Sequence, residues 1–382
     1  TLGKAIFFDE VLSLNQNQSC ASCHDPAVGF TGPDSAINDA GAVYEGSVAG
    51  AFGDRKPPTA AYATQSPIFF LDKHGTWTGG NFWDGRATGE KLGNPAADQA
   101  QGPFTNPVEQ ALPDSACVVY RVCTAADYTV TFEEVWGAGS CTITWPADIA
   151  TVCATPGATV NLSNEDRARS DAAFDEIALS IAAYEASPEV NAFTSKFDLG
   201  KLTKEEKQGK SIFQGKAKCS ACHPANGKDA LFTDYTFDNL GIPPNPENPA
   251  GTPPAFVDPG LGGFLQRIGY PIDVYEDEWG KHKVPTLRNV DLRPDETLVK
   301  AYGHNGYFKT LEGIVHFYNT RDVLPECPGL YTEAEALAAD CWPAPEVAEN
   351  VNTDELGDLG LTAEQEAALV AFLRTLSDGY LP

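Results

Sequence analysis

Two pentapeptides constrain this chain more than any other feature. Cys20-Ala21-Ser22-Cys23-His24 and Cys219-Ser220-Ala221-Cys222-His223 both follow the pattern C-x-x-C-H. That spacing sets two thiols on one helical turn for thioether bonds to the vinyl groups of a haem, and it offers the adjacent imidazole to the iron. One copy alone could be a redox dithiol or half of a zinc site. Two copies, each ending in His and each preceded by a helical pattern, point to two covalently attached c-type haems with His24 and His223 as proximal ligands. At 382 residues the chain is long enough for two domains with a core each. The duplicated motif predicts residues 1–165 and 166–382 as those domains, one haem in each, in a mainly α fold.

The other six cysteines are Cys117, Cys123, Cys141, Cys153, Cys327 and Cys341, an even number suited to three disulfides in an oxidising compartment. Proximity favours Cys327 with Cys341 and leaves the four between 117 and 153 to pair among themselves; free thiols are the alternative. The chain opens at Thr1 rather than Met, as a secreted form does after losing a signal peptide. No run of about 18 apolar residues is present to cross a membrane. Periplasm or cell surface is the expected location. A formal charge of -27 repels nucleic acid and suits either cationic partners or a simply solvated acidic surface.

Helical signals flank both motifs. A helix is expected after Leu2, and Phe174, Ile177, Ala178 and Ile181 recur at helical spacing. Thr203 with Glu206, and Thr362 with Gln365, read as capping boxes, the second opening a stripe of Leu369, Phe372, Leu373 and Leu376. Residues 111–160 hold four cysteines and two β-leaning stretches, Tyr128 to Phe132 and Cys141 to Trp145. They predict a disulfide-stapled, hairpin-like insertion.

The chain contains no methionine, so the common thioether ligand of electron-carrying haems is excluded. A six-coordinate haem passes electrons, whereas an open position binds peroxide or oxygen. His74, His282, His304, His316 and the tyrosines remain as candidates for the far side of each iron.

With these motifs stand Leu2-Gly3-Lys4, Phe7-Phe8-Asp9, Phe82-Trp83-Asp84-Gly85-Arg86-Ala87, Gly102-Pro103, Asn106-Pro107-Val108-Glu109, Val284 to Val290, His304-Asn305-Gly306 and Phe317-Tyr318-Asn319. In this order, along nearly the whole chain, they resemble the bacterial dihaem cytochrome c peroxidase and MauG family. The resemblance implies two α-helical cytochrome c domains, the first with a peroxide-reactive haem and the second with an electron-transferring one. It implies that Glu109 is the distal acid-base residue, Gln99 a second distal polar residue, and Trp83 the relay between haems. Where family members that take electrons from small cytochromes carry a methionine ligand, this chain has Tyr318, with His316 as its near rival. Tyrosine there is similar to the MauG and MbnH branch, in which a high-valent bis-Fe(IV) state oxidises a protein partner, including its tryptophan. The family's calcium between domains is possible here through the carbonyls of Val299 and Ala301, although Lys56 aligns with its asparagine ligand. His74 reads as a loop histidine, which leaves the first haem open. Trp77, Trp136, Trp145, Trp279 and Trp342 are available as stepping stones to a partner.

The leading expectation is an oxidoreductase that uses hydrogen peroxide to oxidise a protein partner. The alternative is a cytochrome c peroxidase supplied with electrons by a small donor, whose lysine ring the acidic surface would suit. A non-catalytic dihaem carrier would give Glu109 no task.

Overall fold

The computed structural model describes residues 1–227 and 229–381, the side chains of Ala126 and Asp127 excepted. The helices that place the site are α1 (Leu2–Phe7), α2 (Pro95–Thr105), α3 (Ser115–Thr124), α4 (Ala126–Trp136), α5 (Asn164–Glu185), α6 (Lys204–Gln214), α7 (Leu311–Thr320) and α8 (Ala363–Arg374). Among the described residues, strands form only two antiparallel ladders, β1 (Phe70–Leu71) with β2 (Trp77–Thr78) and β3 (Phe237–Asp238) with β4 (His282–Lys283). Among the described residues no helix is long and apolar enough to cross a membrane.

The helix starts follow from local chemistry. Thr203 and Glu206 exchange side-chain and backbone bonds at the start of α6, and Thr362 and Gln365 do the same for α8. Each box satisfies two backbone donors that a helix start leaves open. Asn94 and Asp114 cap α2 and α3 with single side-chain acceptors.

Two large apolar cores form, beside two smaller clusters, and both large ones are built on the same kind of helix crossing. In the first, α1 packs on α5 at Gly3, where an added Cβ would lie 1.8 Å from the Ser180 carbonyl oxygen. In the second, α6 packs on α8 at Gly209, where a Cβ would lie 1.9 Å from the Ala368 oxygen. Only a residue without a side chain allows such backbone approach. Ile6, Phe7, Phe104, Phe132, Ile177 and Ile181 fill the first core, and Phe213, Phe232, Phe308, Phe317 and Phe372 fill the second.

The buried residues of the first core run to Val190 and those of the second begin at Phe197. The reason is α5: its stripe of Phe174, Ile177, Ala178 and Ile181 is buried against α1, α2 and α3.

The insertion departs from expectation. Tyr128 to Phe132 lie in helix α4, and Cys141 to Trp145 form no strand. Tyr128 and Phe132, four residues apart, are buried on one face while Val130 and Val135 are exposed. Burial of that face and two disulfides, Cys117–Cys153 and Cys123–Cys141, override the local β preference of Thr129, Val130 and Thr131. The third disulfide joins Cys327 and Cys341, as proximity suggested.

Candidate active site: two cavities joined by Trp83

After α1, Ser19 caps a single turn over Cys20–Ser22 that leads to His24. Its Nδ1 donates to the carbonyl of Phe30 at 3.1 Å. Burial holds the imidazole below its usual pKa, against the opposing pull of that carbonyl, so the ring is neutral and fit to ligate a metal. His24, Cys20 and Cys23 line a cavity of ≈ 180 Å³ together with Gln99, Glu109, Arg86 and Trp83. The two thiols are unpaired.

Glu109 reaches this cavity through the turn that ends α2. Its N–H donates to the Asn106 carbonyl at 3.0 Å, its own carbonyl accepts from Ser47 N–H at 2.7 Å, and Asn106 Nδ2 donates to Glu109 Oε1 at 3.1 Å. Burial raises the carboxyl pKa, while Arg86 and Asn106 draw it down. Gln99, one turn into α2, shares the cavity. Arg86 is steadied by two bonds to Asp84 Oδ1 and Oδ2 (3.0 and 2.9 Å) and lies 3.8 Å over the Phe82 ring.

The second cavity repeats the first. Cys219–Ala221 form a turn after α6, His223 Nδ1 donates to the Phe232 carbonyl at 2.7 Å, and burial lowers the His223 pKa. A cavity of ≈ 220 Å³ is lined by Cys219, Cys222, His223 and Tyr318, with apolar walls from Leu311, Ile314, Leu369 and Leu373. Tyr318 stands on α7, and burial pushes its hydroxyl far above the ordinary phenol value. His316 does not line this cavity; its Nδ1 pairs instead with Glu366 at 3.1 Å.

Trp83 lines both cavities. Its indole Nε1 donates to the Lys56 carbonyl at 2.8 Å, and the Lys56 N–H donates to the His304 carbonyl at 2.9 Å. His304 and His282 stack with ring centres 3.6 Å apart. His304 Nε2 lies 3.2 Å from Glu346 and His282 Nε2 lies 3.1 Å from Asp258. Asp258, His282 and His304 are close enough to hold a metal ion, but both Asp258 oxygens already accept from Arg55 at 2.6 Å. His74 sits exposed in the turn between β1 and β2, and among the described residues His24 is the only histidine lining the first cavity. Of the other tryptophans, Trp342 meets Phe317 edge-on at 5.2 Å, next to Tyr318.

The sequence reading missed Gln110 and gave Arg86 no role. Gln110 is buried at the first cavity with both side-chain amide atoms unpartnered. Its one sequence signal is its place beside Glu109.

Four unpaired cysteines in a chain whose other six form disulfides, two buried histidines with lowered pKa values, and two lined cavities fit a pair of haems. The fit to calcium fails. At the aligned position Lys56 Nζ itself donates to Thr31 Oγ1 and the Pro57 carbonyl, and the Val299 carbonyl accepts from Asn38 Nδ2 at 2.9 Å; an ammonium cannot ligate calcium.

Comparison with known proteins agrees with this geometry. The family described as Di-haem cytochrome c peroxidase (CCP_MauG) matches residues 1–207. The methylamine utilization protein MauG of Paracoccus denitrificans is 36% identical over 99% of this chain and 88% of its own length. Cytochrome-c peroxidase IdrP2 of Denitromonas iodatirespirans is 26% identical over 98% of this chain and 80% of its own. Among solved structures, the diheme peroxidase BthA of Burkholderia thailandensis superposes with a TM-score of 0.75 at 25% identity, covering 99% of this chain and 85% of that one. A MauG-like protein associated with microbial copper homeostasis shares the fold, with a TM-score of 0.62 over 99% and 89%. With the family pattern matching more than half of the chain, and MauG aligning with nearly all of it, this protein belongs to the di-haem cytochrome c peroxidase family.

Proposed function

We propose that this dihaem peroxidase-type oxidoreductase reduces hydrogen peroxide at the Glu109 cavity and takes the electrons from a protein partner, as a MauG-like enzyme. The observation that carries the reading is the position of Trp83, which lines both cavities, while Glu109 and Gln99 line the first and not the second. Cys20 and Cys23 would attach one haem and Cys219 and Cys222 the other, one for each core, with His24 and His223 as proximal ligands. Bound there, the haem irons supply the one-electron chemistry that side chains lack.

The chain's own residues supply the rest. Glu109 as carboxylate takes the proton from the nearer peroxide oxygen and delivers it to the departing one, so that two electrons and two protons in all convert peroxide to two waters. Gln99 orients the peroxide by its amide, and the Arg86 cation favours the carboxylate form of Glu109. Trp83, its indole tied to Lys56, relays electrons between the cavities. Tyr318 would be the second ligand of the second iron: in so apolar a pocket only a cation at its oxygen would hold it as phenolate. A hard anionic donor of that kind favours oxidised iron, which suits an enzyme that withdraws electrons from a partner's aromatic side chain. Three disulfides support the periplasm or cell surface as the working compartment.

The test is the visible and EPR spectrum of the ferric holoprotein before and after one equivalent of peroxide, alongside Tyr318→Phe. One high-spin haem, one low-spin haem altered by the substitution, and a long-lived response of both to peroxide are expected. Two low-spin haems, indifferent to peroxide and to Tyr318→Phe until half-reduced, would replace this reading with a reductively activated cytochrome c peroxidase fed by a small donor.

A further inference from the structure

The seam between the two cores holds buried lysines that reach no carboxylate. Lys56 Nζ donates to Thr31 Oγ1 and to the Pro57 carbonyl, both at 3.0 Å. Lys300, 3% exposed, donates to the carbonyls of Val28 at 2.9 Å, Asn289 at 3.2 Å and Leu292 at 2.9 Å. Val28 follows the first haem motif, whereas Asn289 and Leu292 come from the second half of the chain. The Lys300 ammonium is therefore a stitch across the seam.

Oxygen-only cages of carbonyls and a hydroxyl are what hard cations choose. Here the cation is covalently part of the chain. Burying an ammonium is costly unless its donors are satisfied, so these cages are built for the charge they hold. Burial pulls the Lys300 ammonium down to about 7 and that of Lys56 to about 8, and the Lys56 charge adds to the shift on Lys300. A divalent ion entering between them would meet two like charges in a poorly screened interior, and the nearby Val299 carbonyl is already bonded by Asn38.

The placement matters for the relay. The Lys56 carbonyl accepts the Trp83 indole N–H, and the Lys56 N–H donates to the carbonyl of His304 in the other half of the chain. Fixing the Lys56 ammonium thus fixes the peptide groups that hold Trp83 on the first core and in register with the second.

We propose that Lys56 and Lys300 are the resident cations of this seam, so that the protein holds Trp83 between its two cavities without calcium. Lys56 acts as a positioning residue: it lines both cavities without supplying a candidate ligand, and it works through the peptide that Trp83 binds.

The experiment begins with wild-type holoprotein dialysed against calcium and then passed through a desalting column. Elemental analysis should find substoichiometric calcium, and a chelator should leave Tm and the ferric EPR spectrum unchanged. Lys56→Asn, which removes the charge and restores an oxygen ligand, should gain calcium binding by titration calorimetry, with a Tm and EPR spectrum that calcium returns toward wild type. Lys56→Met should lower Tm without any response to calcium. Stoichiometric calcium in the wild type, removed by chelator with a fall in Tm or a change in the EPR lines, would overturn the proposal even if neither variant folds. So would a Lys56→Asn protein as stable as wild type and blind to calcium.

Discussion

Replacing Glu109 by Gln tests the proposed chemistry with little change of shape. The side chain keeps its volume and can still accept the 3.1 Å bond from Asn106 Nδ2, but it cannot exchange a proton. A general acid-base residue contributes ~10²–10⁴-fold to a rate, equal to about 2.7–5.4 kcal/mol of barrier at ~1.36 kcal/mol per decade. The second-order rate constant for peroxide, measured by stopped-flow absorbance, should fall by that factor. Stability should not fall with it. Burial raises the Glu109 pKa, so at neutral pH the folded state bears a cost for the buried charge, and an amide removes the cost. The same shift sets the pH profile: the base form is needed, so the wild-type rate is lost as pH falls through the folded pKa, at a pH above the usual carboxylate range. Glu109→Gln should show no such inflection. A variant that reacts at the wild-type rate across the pH range would refute the assignment of Glu109, whatever its melting temperature.

Three further outcomes are expected. Trp83→Phe should leave the initial reaction with peroxide intact while slowing the oxidation of a reduced c-type cytochrome offered as donor; double-mixing stopped-flow separates the two, and equal effects on both would deny Trp83 a relay role. Gly209→Ala places a Cβ 1.9 Å from the Ala368 oxygen, and such overpacking should cost about 1–3 kcal/mol or more, read as a lower midpoint in denaturant. Arg288→Met takes from the partly buried Asp198 carboxylate its charged partner at 2.9 and 3.0 Å and leaves it the bonds from Ser195, at a cost of up to about 3–5 kcal/mol; calorimetry would show an unchanged Tm if the pair were idle.

Much of the site was legible because its chemistry is carried by short, ordered motifs. C-x-x-C-H fixes three ligand atoms within one turn, so both cavities could be placed before any packing was known. Tyr318 lines one cavity and Glu109 the other, and the roles proposed for them are argued from that placement. What failed was whatever depended on distant contacts. Helix α4 looked β-like because Thr129, Val130 and Thr131 carry a local preference, whereas the burial of Tyr128 and Phe132 that overrules it comes from other segments. The stripe on α5 announces a helix without naming its partner, and only the packing shows that it belongs to the first core. The paired crossing glycines left a trace, since Gly3-Lys4 and Gly209-Lys210 recur in the two helices that lead to the haem motifs. That trace becomes meaningful only once Ser180 and Ala368 are seen opposite them.

The seam fixes the position of the proposed relay, Trp83, between the two cores. Arg55 binds Asp84, the residue after Trp83, at 2.8 Å and Asp258 of the other half of the chain at 2.6 Å. Lys283 N–H takes the Trp83 carbonyl at 2.8 Å, and Lys56 takes the indole. The backbone carbonyl and the indole of Trp83 are thus both tied, and the next side chain along is anchored to both halves. An electron relay works by tunnelling over a fixed distance, so residual rotation between the cores would be felt directly at Trp83. Buried ion pairs are poor sources of net stability but demand one geometry, because any other leaves a charge unpaired. Placing Arg55, Asp84 and Asp258 around the tryptophan therefore gives the proposed relay its register, while the phenylalanine-rich cores on either side supply the stability.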